Sequence, residues 1–168
     1  MHIEELLIFL HFFKSHLRDL DDKDIGELIE TDFRVKQLVS MIFDKYEAVK
    51  KTLEFTYQVS AIHSLAFLHK MYGLELTEDN KDLLVEALYY SRPEENGAIL
   101  PEVPSLVFML HALLTEGNSD RMSDVVEKVS ALYLDVIGER IDALGCSNLI
   151  SGWAELGFRN EELFNALA

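Results

Sequence analysis

The spacing of apolar residues constrains this chain more than any other feature. Through most of the sequence they recur at i, i+3, i+4 and i+7, the pattern of an amphipathic α-helix. No segment alternates between apolar and polar residues for long enough to predict a β-strand. We therefore predict an all-α fold of about eight or nine helices joined by short turns. The clearest stripes are Ile3, Leu6, Leu7, Leu10 and Phe13; Val35, Leu38, Val39, Ile42, Phe43 and Tyr46; and Leu83, Leu84, Ala87 and Leu88.

A faint internal repeat suggests how these helices are arranged. Three segments carry apolar residues at the same i, i+4 and i+7 positions, each followed by a turn and a second helix. The unit is therefore a helical hairpin, and stacked hairpins of this period are typical of an α-solenoid. An irregular helical bundle is the alternative, because unrelated amphipathic helices of similar length can share such offsets by chance. The three sets are Ala61, Leu65 and Leu68; Leu106, Leu110 and Leu113; and Leu149, Trp153 and Leu156.

Length and composition predict one domain. The chain has 168 residues, 49% of them hydrophobic, which is enough for one substantial core. We assign residues 1–168 to a single α-helical repeat domain with a Pro- and Gly-containing linker near 92–104. No apolar run approaches the ~20 residues that a membrane span requires. The single cysteine, Cys146, cannot form an internal disulfide, which favours a reducing compartment.

The charge of the chain limits its partners. The formal net charge is -15, and most of the excess acid lies after residue 51. Nucleic-acid affinity depends on Lys and Arg side chains that neutralise phosphates, so the charge argues against tight, autonomous RNA or DNA binding. An acidic surface favours solubility and basic partners instead.

The titratable residues do not form a recognisable catalytic or metal-binding motif. Neither the pair His11 and His16 nor the pair His63 and His69 has the i, i+4 spacing of helical metal ligands. We expect His11, His63 and His111 to be partly buried and hydrogen-bonded, and Trp153 to belong to the core. The acidic segment 19–32 departs from a calcium loop at two ligand positions and is better explained as a solvated turn with capping acids. We predict no enzyme activity, no cofactor, no metal and no small-molecule substrate.

The C-terminal segment 147–168 reads as a helix, a turn and the start of another helix. Gly157 suits a left-handed helix end, with Phe158 folding back as the contact beyond it. Asn160 is a candidate N-cap for the last helix. That helix has a short apolar face of about two turns, too short to be stable alone in water. We predict that this face binds a partner through Leu163, Phe164 and Leu167.

The same segment, "NLISGWAELGFRNEELFNALA", resembles one unit of organellar helical-repeat proteins: octotricopeptide repeats and the repeats of FAST-kinase-like and RAP-domain proteins. The resemblance is carried by Trp153, Ala154, Leu156, Gly157, Leu163, Phe164, Leu167 and Ala168. It implies a right-handed α-solenoid in mitochondria or plastids that acts in organellar RNA metabolism or within a ribonucleoprotein. Glu155 stands where this family commonly has Lys, which weakens the case for direct base reading. Arg159, in the turn, is the candidate contact for RNA or an acidic partner.

These observations together predict a non-catalytic scaffold subunit of a mitochondrial ribonucleoprotein, the mitochondrial ribosome above all. Its partners would be other protein subunits of a large assembly, with contact to ribosomal RNA weakly supported by the charge. Two alternatives are an independent organellar RNA-binding or processing factor and an accessory subunit of a mitochondrial respiratory-type complex. The predicted location is mitochondrial by resemblance, with the presequence absent from this chain, and the cytoplasm is the alternative.

Overall fold

The computed structural model of the chain is helical throughout the part that it describes. Its described residues form nine α-helices and no strand. The all-α prediction is therefore confirmed. The helices are α1 (Ile3–Leu17), α2 (Asp22–Thr31), α3 (Phe33–Val49), α4 (Phe55–Tyr72), α5 (Glu78–Tyr90), α6 (Val103–Leu113), α7 (Ser119–Leu134), α8 (Ala143–Glu155) and α9 (Glu161–Leu167). The described residues are 2–17, 20, 22–49, 51–52, 55–90, 102–134, 142–159 and 161–167.

Local capping signals fix several helix starts. The Asp32 carboxylate accepts the backbone N–H of Arg34 at 2.8 Å, and Thr77 Oγ1 accepts the backbone N–H of Asn80 at 3.2 Å. Each side chain satisfies one of the amide groups that the first turn of a helix leaves unpaired. Pro104 lies in the first turn of α6, as its missing N–H allows. Residues 92–101 of the predicted linker lie outside the described part of the chain.

Two helices end on a glycine with positive φ. At the end of α8, Gly157 has φ +79°, its N–H donates to the Ala154 carbonyl, and the Phe158 N–H donates to the Trp153 carbonyl at 2.9 Å. These two bonds form a Schellman motif, and Phe158 packs against the core as predicted. Gly73, with φ +73°, ends α4 in a related way. Asn160, the candidate cap of α9, lies outside the described residues.

Contacts between the helices define two rows. In the first row α1 packs on α4, α4 on α6 and α6 on α8; in the second row α5 packs on α7 and α7 on α9. The rows are joined where α4 and α6 meet α5 and where α8 meets α9. Helix α3 contacts α1 and α2, and α2 contacts α4. The core lies between the rows and continues under α1 to α3.

The three repeat stripes lie on neighbouring helices of the first row. All nine of their residues are buried; eight lie in α4, α6 and α8, and the ninth, Leu156, is the C-cap residue of α8. Equivalent positions of the faint sequence repeat therefore face the same core. Within the described residues, no helix is long and apolar enough to cross a membrane.

Candidate interaction surface

Acidic residues are distributed unevenly between the two rows. In the first row, α4 and α6 contain no Asp or Glu, α8 contains only Glu155, and α1 contains only Glu4 and Glu5, both in its first turn. The second row is different, since α5, α7 and α9 together carry nine acidic side chains (Glu78, Asp79, Asp82, Glu86, Asp120, Asp124, Glu127, Glu161 and Glu162). The first row therefore presents an acid-poor face on a strongly acidic protein. We call this the first-row face.

A buried lysine lies beneath this face, between α1 and α4. Lys14 Nζ lies 3.1 Å from His63 Nδ1 and 5.5 Å from the centre of the Phe67 ring, and the residue is almost fully buried. A lysine is rarely buried unless its charge is compensated. The imidazole nitrogen and the aromatic ring both interact favourably with the ammonium group. Sequence reasoning missed Lys14, although it follows Leu7 and Leu10 on the same helical stripe.

Aromatic rings continue the face from α4 to α6. His63, Phe67 and Phe108 form a triangle with ring centres 6.3 to 6.4 Å apart, and each is only partly covered. Half-covered aromatic rings of this kind offer apolar contact area at little loss of conformational entropy. The ring cluster is the apolar centre of the first-row face.

A groove of 450 Å³ extends the face from α6 to α8. Its lining includes Gly152, where α8 lies so close to α6 that a Cβ on this glycine would be 2.2 Å from Val107 Cγ2. The missing side chain of Gly152 therefore allows α6 to approach α8 closely. The covered lining residues of the groove are apolar (Val107, Phe108 and Gly152), whereas its polar lining residues are exposed and form what we call its rim, the usual composition of a recognition groove. Its lining is Lys70, Pro104, Val107, Phe108, His111, Asn148, Ser151, Gly152 and Glu155.

The prediction that His11, His63 and His111 are partly buried and hydrogen-bonded is right for one of the three. His63 is half-buried and hydrogen-bonded. His11 is exposed, with its Nδ1 3.4 Å from Ser60 Oγ. His111 is also exposed, on the rim of the groove, so the prediction for it is wrong. A residue beside an apolar stripe can still be exposed. With about 3.6 residues per helical turn, a neighbouring position can point away from the core.

Trp153 lies in the core, as predicted. It is fully buried, and its Nε1–H donates to Ser130 Oγ at 2.9 Å. Cys146 is half-buried on α8. The acidic segment 19–32 contains the whole of helix α2 (Asp22–Thr31), so the expectation of a solvated turn is wrong for these residues. Nowhere in the described ranges do three His, Cys, Asp or Glu side chains converge as metal ligands would.

The terminal hairpin places Arg159 in the open. Its side chain is 81% exposed, and its guanidinium lies 3.6 Å from the Glu161 carboxylate. Phe164 is half-buried and, with Phe158, lines a cleft of 620 Å³. The side chains of Leu163 and Leu167 lie outside the described residues. Binding of a partner by this face, and any role of Arg159, stay predictions.

Two further clefts lie away from the first-row face. One of 720 Å³ separates α2 and α3 from the turn after α4, and its polar lining mixes Glu30 and Asp44 with Lys36. The other, of 400 Å³, lies on the second row and is lined mainly by acids, with Arg121 bound to Glu86 at 3.5 Å. Neither brings together groups that resemble a catalytic arrangement.

Comparison of the chain with protein-family models, with curated proteins and with solved structures gives no significant match. The first-row face is therefore defined by its own geometry and charge.

Proposed function

We propose that the protein is a non-catalytic helical-repeat scaffold whose hairpins stack as a right-handed α-solenoid. The support is the placement of the three repeat stripes on α4, α6 and α8, which are consecutive neighbours in one row. In a solenoid each unit packs only on its neighbours, and equivalent residues share a continuous core. The right-handed sense rests on the resemblance of the terminal hairpin to octotricopeptide-type repeats.

The scaffold would bind a partner protein through the first-row face. One observation carries this: α4 and α6 contain no acidic residue, although the chain has a net charge of -15. The face combines half-covered aromatic rings with a groove rimmed by Lys70 and His111. Protein interfaces have such a centre, apolar and aromatic and poor in charge, inside a polar rim. The acidic second row would keep the assembly soluble.

The proposed setting is a mitochondrial ribonucleoprotein, and the mitochondrial ribosome in particular. This rests on the resemblance over residues 147–168 and on the scaffold architecture. A second candidate is contact with single-stranded RNA at the same face, favoured by Phe67 and Phe108, since aromatic rings stack on bases of any sequence. The two candidates differ in salt dependence, because RNA binding releases counterions.

Sedimentation from organelles tests the proposal. Wild-type protein tagged at its own gene, so that any presequence is kept, should be found in mitochondria and co-sediment with ribosomal particles. The variant Lys70→Glu/His111→Glu should be released from them, because it adds repelling acids to the rim of the groove. The control Lys45→Glu/Gln37→Glu makes a similar charge change at exposed positions of α3.

Three outcomes would contradict the scaffold proposal. The first is a wild-type chain found only in the cytosol, or only in fractions lighter than the particles. The second is equal release of the variant and its control. The third is submicromolar binding of the purified chain to RNA that weakens steeply with salt, which would establish the RNA-binding candidate instead.

A further inference from the structure

The groove on the first-row face is built from equivalent positions of two successive helices. On α6 and on α8 its lining residues recur at i, i+3, i+4 and i+7, so each set forms one stripe along its helix. Each residue of the second stripe lies 44 residues after its counterpart in the first. Lys70, near the end of α4, completes the lining, so the groove reaches across three helices of the row. The two stripes are Pro104, Val107, Phe108 and His111; and Asn148, Ser151, Gly152 and Glu155.

The polar side chains of this groove are exposed and available to a ligand. Nowhere in the described part of the chain does any of them have a hydrogen-bond or ion-pair partner. Polar groups that the fold leaves unused can be satisfied by a bound molecule instead of by water. These side chains are Lys70, His111, Asn148, Ser151 and Glu155.

Two of these residues, Asn148 and Ser151, are suited to a peptide backbone. A side-chain amide offers both a donor and an acceptor, and so does a hydroxyl group. In an extended segment the backbone N–H and C=O groups need such partners, whereas a helix pairs these groups internally. The rim of the groove therefore favours an extended chain over a helix.

Charges of opposite sign lie on opposite sides of the groove. Among the described residues that line it, the only Lys, Arg, Asp or Glu are Lys70 on α4 and Glu155 on α8. Helix α6 lies between these two helices, and packed helices have axes about 8–10 Å apart, so the axes of α4 and α8 are up to about 16–20 Å apart. An extended chain advances about 3.3 Å per residue, so about six residues cross this distance.

We propose that the groove binds an extended segment of about six residues from the partner protein, with an acidic side chain at Lys70 and a basic side chain at Glu155. An apolar side chain in the middle of the segment would pack on Val107 and Phe108. This inference rests on the proposed binding of a partner by the first-row face, and it specifies what the partner presents there. RNA fits the groove less well, because a strand that crossed it would place a phosphate beside Glu155.

Synthetic hexapeptides test both the charges and their spacing. The first peptide has Asp at one end, Lys at the other and Leu in the middle, with Ser and Gly elsewhere and both termini blocked. The second has the same residues with Asp and Lys adjacent, and two more carry Asp at both ends or Lys at both ends. Nuclear magnetic resonance titration of the full chain at low salt measures the affinity and locates the site. The first peptide should bind about threefold more tightly than the second and shift the amide signals of Ser151 and Gly152.

Charge variants of the groove should change which peptide binds best. Lys70→Glu makes both sides acidic, so the preference should move by about three- to tenfold toward the peptide with two Lys. Glu155→Lys makes both sides basic and should favour the peptide with two Asp. The controls Lys45→Glu on α3 and Glu127→Lys on α7 make the same changes of net charge at exposed positions outside the groove. They should keep the wild-type order of the peptides, and circular dichroism shows whether each variant is folded.

Several results would overturn the proposal. They are an absence of shifts in the groove with every peptide, equal binding of the first and second peptides, and one order of preference shared by wild type and both groove variants. An RNA oligonucleotide that shifts the same signals more strongly would overturn it in favour of the RNA-binding candidate.

This inference and the proposed function can fail separately. If Lys70→Glu/His111→Glu is released from the particles while the peptides show no preference, the scaffold proposal stands and this inference is wrong. If the peptide preference changes as expected while that variant stays bound to the particles, the ligand of the groove is supported and its role in the particle is contradicted.

Discussion

Trp153 donates its indole N–H to Ser130 Oγ at 2.9 Å, and both residues are fully buried. Ser130 Oγ in turn donates to the Val126 carbonyl one turn earlier in α7. The Ser130 hydroxyl thus accepts a hydrogen bond from Trp153 in the first row and donates one to Val126 in the second row. This bond links α8 to the second row, and it accounts for a tryptophan at a position where the equivalent repeat residues are Leu65 and Leu110.

Ser130→Ala should destabilise the protein by about 1–3 kcal/mol, because it leaves the buried Trp153 N–H without an acceptor. Urea unfolding gives the change as a shift of the midpoint. Trp153→Phe removes the donor, so adding Ser130→Ala to it should cost clearly less than Ser130→Ala alone. A double variant whose two effects simply add would show that the two side chains are not coupled.

Gly152→Ala should also destabilise the protein, by about 1–3 kcal/mol, because the added methyl group would overlap Val107 and force α8 away from α6. Val107→Ala should recover part of the loss, since the nearest remaining atom, the residue 107 Cβ, would lie 3.1 Å away. Thermal unfolding of the two single variants and the double variant measures this. If Val107→Ala worsens Gly152→Ala, the close approach of the two helices is not the cause.

Helices and helix ends can be predicted from a sequence because they depend on local interactions. Asp32, Thr77 and Gly157 each act within a few residues of their own position, so the residue type is nearly sufficient. The burial of Trp153 was also predictable from its place in an apolar stripe. A helical period therefore identifies a core face without any knowledge of the neighbours.

Which helices pack against each other could not be predicted from the spacing of apolar residues. The acid-poor composition of α4 and α6 is visible in the sequence, but it becomes a surface only because these two helices are adjacent in one row. The stripe from Ile3 to Leu10 identified the core face of α1, but the spacing gave no sign that Phe9 and Phe12, equally apolar, stay exposed on the other side. His63 and His111 look alike in sequence, and only the approach of Lys14 from α1 distinguishes them.

Asp32 should make the stability of the fold sensitive to acid. The side-chain and backbone hydrogen bonds from Arg34 lower the pKa of the carboxyl to about 2 from its ordinary 3.8. A lowered pKa means that the folded state favours the charged carboxylate, so the stabilisation is present above pH 3.8 and is lost as the pH falls toward 2.

Asp32→Asn isolates this charge, because asparagine keeps an acceptor for the N-cap. Wild type should be more stable than Asp32→Asn at about pH 6, and the difference should shrink toward zero near pH 2. Urea midpoints across that range measure it, and added salt should narrow the gap at neutral pH. An undiminished difference at the acid end would mean that the ion pair with Arg34 does not contribute.

Tyr46 and Tyr133 should limit stability at alkaline pH. Both are buried, and burial raises the pKa of each phenol above its ordinary 10.0. The folded state therefore disfavours the phenolate, and stability should be lost as the pH rises above 10.0. In an ultraviolet titration of the folded protein, part of the phenolate absorbance should appear only at a pH above that of ordinary tyrosines. In urea this part should shift to lower pH. Tyr46→Phe and Tyr133→Phe should each remove a share of the phenolate absorbance that appears at high pH. The double variant should lose less stability at alkaline pH than wild type. A titration that is identical in the folded chain, in urea and in both variants would contradict the burial of these two rings.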